Sequence, residues 1–133
     1  MMNYKSKFME VIFHQDNQTL EFRWSKETVE LTNEDFKREL VQQVKSVEES
    51  TPQNVLIDTT QFIFPISPEI QNWVDEAVYP AWAAAGLTKM GFLMSPEMVS
   101  QLSIQQAVAE NSQVQLKSGF FETKEQAFEW FGA

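Results

Sequence analysis

The chain contains no cysteine. That excludes a disulfide framework and a thiolate nucleophile, and a metal would have to be held by carboxylates and the single histidine, His14. No cofactor is expected. A cysteine-free chain suits a reducing compartment, so a cytoplasmic location is expected. Glycine is scarce and dispersed, at 86, 91, 119 and 132 only, so neither a phosphate-cradling loop nor a serine nucleophile elbow occurs. Bases are outnumbered, with ten Lys and Arg against nineteen Asp and Glu and a net charge of −9. The stretch from Ser46 to Thr88 holds six acids (Glu48, Glu49, Asp58, Glu69, Asp75, Glu76) and no base. Nucleic acid would be repelled there, and the bases are scattered rather than interleaved with aromatics. Long apolar runs are missing too. Nothing approaches the ~18 residues of a spanning helix, and "MMNYKSKFMEVIF" lacks the apolar core of a secretory leader, so the chain should not span a membrane.

What is present suits one compact domain over residues 1–133. At 133 residues and 43% hydrophobic composition, a single core can bury about two thirds of the unfolded surface. No linker or low-complexity tract divides it. "MEVIFHQ" (Met9 to Gln15) and "TLEFRW" (Thr19 to Trp24) alternate apolar and polar residues around "DNQ", which predicts a hairpin whose Asp16 and Asn17 tolerate positive φ. Thr32 precedes a helix whose inward face is Phe36, Leu40, Val44 and Val47, stopped by Thr51 and Pro52. "NVLIDTT" has the continuous apolar form of an interior strand.

Ser67, Pro68 and Glu69 then form a capped helix start, with Ile70, Trp73, Val74 and Ala77 turned inward. Pro65, Pro68 and Pro80 each lack a backbone donor, so the segment Phe62 to Trp82 should be the least regular part of the fold, broken or bent near Tyr79 and ending at Gly86. "KMGFLM" is a further strand. A second Ser-Pro-Glu at Ser95 opens a helix over Met98, Val99, Leu102 and Ala109. A last strand around Phe120 and Phe121 leads to a helix begun by a Thr123/Gln126 capping pair, with Ala127, Phe128 and Phe131 inward. The order implies an α/β fold: a mixed sheet of about five strands, parallel across helical crossovers, with an N-terminal antiparallel hairpin.

The segments "NVLIDTTQFIF", "KMGFLM" and "GFFETKEQAFEWF" together resemble the STAS domain, the fold of bacterial anti-sigma-factor antagonists and of sulfate-transporter tails, over roughly Met9 to Phe131. "YPAWAAAGLTKMGFLMSPE" is similar to a small bacterial branch with a partly lipid-carrier-like description. The resemblance implies a non-enzymatic regulatory module that docks a protein partner through a helix face and adjoining loops. It places Ser67 at the family's phosphoacceptor serine, although Ile66, Pro68 and Glu69 stand where the family has Asp, a small hydroxyl residue and Gly. Because the chain writes Ser-Pro-Glu twice, Ser67 is read chiefly as a helix cap.

His14 has no second His, Cys or carboxylate pattern beside it in sequence, so it reads as an ordinary strand residue. Asp58 with Asp75 or Glu76 fits no glycosidase or metal spacing, and an enzyme using Asp58 or Glu69 ranks last. Phe62, Phe64, Trp73, Trp82, Met90 and Met94 are the candidate lining of a pocket for a small apolar or lipid-like ligand, weighed against plain core packing. Four Trp and eleven Phe are many for this size, so an exposed apolar patch and a homodimer are expected.

Overall fold

The structure, a computed structural model, describes residues 4–64, 66–94 and 116–132. Its centre is one six-stranded sheet in sequential order: β1 (Tyr4–Lys5), β2 (Met9–His14), β3 (Thr19–Trp24), β4 (Asn54–Asp58), β5 (Lys89–Leu93) and β6 (Lys117–Phe121). Strands β1 to β3 pair antiparallel, and β3 to β6 pair parallel. This is the expected mixed α/β sheet, with one strand more than expected. Two residues are too few to show alternation, and β1 is held by contacts from another element. Glu39 of α1 (Asn33–Ser50) accepts hydrogen bonds from Tyr4 at 3.2 Å and Ser6 at 2.7 Å.

The hairpin differs from expectation in detail. Its turn is a 3-10 segment, Gln15–Asn17, and the left-handed residue is Gln18 at φ 53°, not Asp16 or Asn17. The register therefore sets His14 opposite Thr19 and Ile12 opposite Glu21.

Side chains alternate between the two faces of each strand. One face carries the row Val11, Phe22, Ile57, Phe92 and Phe120. Against it pack Phe36, Leu40 and Val47 of α1 and Ile70, Val74, Val78 and Trp82 of the following helical segment. Val44 is only half-buried, and the α1 stripe widens to include buried Glu39, Gln43 and Ser46. The other face carries Ile12, Glu21, Leu56, Gly91 and Gly119, where the C-terminal helix α4 (Lys124–Phe131) seats Ala127 and Phe131 against Leu56 and Leu93. All five residues of β4 are buried, as an interior strand covered on both faces requires.

The caps follow the local chemistry. Thr32 accepts from the Asp35 N–H at 3.1 Å, and Thr123 from that of Gln126 at 3.2 Å. Gln126 reaches back to the N–H of Glu122, at 3.1 Å, rather than to Thr123. Thr51 closes α1 in the left-handed region at φ 43°. The segment 68–84 is neither broken nor a uniform α-helix. Between α2 (Pro68–Trp73) and α3 (Tyr79–Ala84) lies a π turn, Val74–Val78, in which the Tyr79 N–H bonds Val74 O, five residues back. Pro80 has no N–H for the carbonyl four residues before it, and the wider turn absorbs this without leaving helical dihedrals. Gly86, at φ 101°, ends the segment. Ser95 and the helix expected over Met98 to Ala109 lie outside the described residues.

Candidate functional site

At the carboxyl ends of β3 and β4, three connections meet: residues 6–8, the turn after Trp24, and the loop residues 59–64. This is the end where open α/β sheets place their sites. Asp58 closes β4 with its Oδ1 accepting from the Thr60 N–H at 3.0 Å and the Thr60 hydroxyl at 2.6 Å. Buried and turned onto its own loop, it shapes the backbone instead of pairing with Asp75 or Glu76, which sit exposed on the π turn. Thr28, fully buried in the 3-10 segment Lys26–Glu30, ties the loops together. Its Oγ1 accepts from the Ile63 N–H at 3.0 Å and donates to Ser25 O at 2.9 Å.

That tie has a surface consequence. Val29, Ile63 and Ile66 are 64%, 55% and 41% exposed, three of the four large exposed apolar side chains among the described residues. Ser67 follows at once and accepts the Ile70 N–H at 3.2 Å, so it caps α2. Beside the loops lies a cleft of about 210 Å³ lined by Lys5, Glu10, Arg23, Asp58, Thr60 and Gln61, with others. It is smaller than the ~300 Å³ at which small-molecule pockets begin.

Five of the six candidate pocket residues are placed in one packed apolar layer. Phe62 meets Trp24 edge-on at 5.1 Å, and Phe64 stacks on Phe36 at 5.1 Å. Trp82 is 1% exposed and stacked on Phe22 at 5.8 Å, and Met90 is buried in the same core. Trp73 is half-buried, with Lys37 Nζ 5.4 Å from its ring centroid. Met94 is buried, its N–H bonding Phe121 O at 2.9 Å. The Trp82 indole N–H is buried without a hydrogen-bond partner among the described residues.

The opposite face holds a feature that sequence reasoning missed. Glu21, in the middle of β3, has no exposure. Its Oε1 lies 2.7 Å from His14 Nε2, while Oε2 takes Arg23 Nη2 at 3.1 Å, Arg23 Nε at 3.2 Å and Lys124 Nζ at 3.1 Å. Burial alone would push Glu21 up. The hydrogen bonds of His14 and Lys124 and the charges of Lys124 and Arg23 together outweigh it, holding the carboxyl below its ordinary 4.5. The expectation that His14 stands apart from any carboxylate is corrected. The two lie seven positions apart, and only the hairpin register makes them diagonal neighbours on one face. Glu21 falls on the polar phase of an alternating strand, which reads as solvent-facing until α4 covers it. Lys124 was the available signal, because a cation in the first position of a helix opposes the dipole and calls for an anion from elsewhere.

Among the described residues, no three His, Asp or Glu side chains are grouped to hold a metal, and no helix is long and apolar enough to cross a membrane. Comparison of the chain with protein-family models, curated proteins and solved structures found no match.

Proposed function

We propose that this chain is a non-enzymatic protein-interaction module of the STAS kind, working in the cytoplasm and docking its partner through the loop 59–67 and the start of α2. The observation that carries this reading is the exposure of Val29, Ile63 and Ile66, with Val29 and Ile63 brought together by the hydrogen bond from the Ile63 N–H to buried Thr28. Exposed apolar side chains on a preformed loop lose little conformational entropy on binding. The neighbouring helical surface is acidic, with exposed Glu69, Asp75 and Glu76 and no base between Ser46 and Thr88. The partner is therefore an apolar surface rimmed by Lys and Arg. A homodimer through this face would set the same acids against one another.

The test is an NMR titration of isotope-labelled protein with two amphipathic helical peptides of equal apolar content, one Lys-rich and one Glu-rich. The Lys-rich peptide should shift the amides of Val29, Ile63 and Ile66 in a salt-dependent manner, and Ile63→Asp should abolish this. Equal response to both peptides, or shifts confined elsewhere, would refute the reading. Sedimentation of the peptide-free chain distinguishes the homodimer.

A second reading, a carrier of a small apolar ligand under Phe62 to Trp82, is favoured by the buried Trp82 N–H, which has no acceptor among the described residues. A ligand oxygen there would complete it. Native mass spectrometry of the protein from its own host should then retain a ligand, and a ligand-free spectrum would remove this reading.

A further inference from the structure

His14 is the sole histidine and closes β2 on the face covered by α4. Its Nε2 meets Glu21 Oε1 at 2.7 Å, and the other oxygen of that carboxylate holds Arg23 and Lys124, both at 3.1 Å. A carboxylate gripped by two permanent cations is ionised and can only accept. The shared hydrogen therefore belongs to Nε2, and the neutral form of the ring carries its lone pair on Nδ1. Glu21 is wholly inside while the His14 side chain is 34% exposed, so the ring is anchored at Nε2 and reached in part by solvent. Phe128 fixes its orientation edge-to-face, with centroids 5.5 Å apart and planes at 73°.

The electrostatics admit an anionic reactant. Arg23 and Lys124 offset Glu21 and Glu10, whose carboxylate lies 3.8 Å from Arg23, so these four groups sum to no net charge in a chain of net charge −9 and repel an anion less than its acidic surface does. An imidazole whose Nε2–H is held by a carboxylate is also a better nucleophile at Nδ1.

We propose that His14 Nδ1 is a phosphoryl-acceptor site, oriented by Glu21 and made receptive to an anionic donor by Arg23 and Lys124. The donor is a high-energy phosphoryl compound of the phosphoramidate, acyl-phosphate or phosphohistidine class. The Nδ1 lone pair attacks phosphorus and forms the N–P bond, while the donor's P–N or P–O bond breaks and its electron pair departs with the leaving group. The Nε2 proton stays in its bond to Glu21, and the product is an Nδ1-phosphorylated imidazolium whose ring charge is balanced by the Glu21 carboxylate.

The test uses phosphoramidate at neutral pH on the full chain, followed by intact mass and phosphorus NMR, beside the same chain unfolded in guanidinium. The folded chain should gain one acid-labile phosphoryl group on Nδ1, at least about tenfold faster than the unfolded chain. His14→Gln should gain none, and Lys124→Met, checked for folding by circular dichroism, should react more slowly than the parent. Phosphate on Nε2, or a folded rate no greater than the unfolded rate, would overturn the proposal.

Discussion

Replacing Glu21 by glutamine preserves the volume of a fully buried side chain and removes its charge. The amide can still accept one hydrogen bond, but Arg23 and Lys124 lose their counter-ion, and its own NH2 group faces donors. Breaking a buried ion pair costs about 3–5 kcal/mol when the remaining charge is trapped. Here the two cations are 43% and 37% exposed and can turn toward water, so the expected loss is smaller, about 2–3 kcal/mol at pH 7. For a domain of this size that corresponds to a fall in Tm of about 8 °C. Urea unfolding followed by tryptophan fluorescence suits the measurement, because Trp24 and Trp82 are 4% and 1% exposed. The pH dependence supplies the check. Glu21 has a folded pKa below its ordinary 4.5, so its contribution is fully present above that value and is lost as pH falls through the lower folded pKa. The gap between parent and Glu21→Gln should therefore shrink as pH falls below about 4.5. A variant within about 0.5 kcal/mol of the parent at neutral pH would refute the ionic account of this cluster, as would a gap that does not shrink in acid.

Ser67→Ala should lower stability by about 1 kcal/mol through loss of the cap to the Ile70 N–H, while Ser67→Asp, which still caps and suits the helix dipole, should not, as read by urea unfolding. In Gly91→Ala the new Cβ would lie 3.1 Å from Phe131 Cζ and 3.3 Å from Phe121 Cε2. Displacing those rings should cost about 1–3 kcal/mol and speed amide exchange in α4, where unchanged exchange would contradict the packing described. Thr28→Val removes the hydroxyl that accepts the Ile63 N–H, and should lower stability by about 1–3 kcal/mol and accelerate exchange of that amide selectively.

Local rules were readable directly from the residues. The helix caps at Thr32, Ser67 and Thr123 need only a side-chain oxygen three positions ahead of a free N–H. The interior character of β4 followed from an unbroken apolar run, and the mixed sheet from strands separated by helix-length segments. The trouble Pro80 makes for its helix was legible for the same reason, since a missing donor is a property of one residue. How the chain absorbs it, by a π turn instead of a break, was decided by the packing of Val74, Val78 and Trp82 on the sheet. The approach of Val29 to Ile63 follows from a hydrogen bond between residues 28 and 63, a contact no periodicity encodes. The Glu21 cluster was the least visible, because it joins residues 14, 21, 23 and 124 through a hairpin register and a helix docked across the sheet. Alternation assigns Glu21 to a face of its strand. Whether that face meets water or a lysine from the far end of the chain is settled only when the last helix lands.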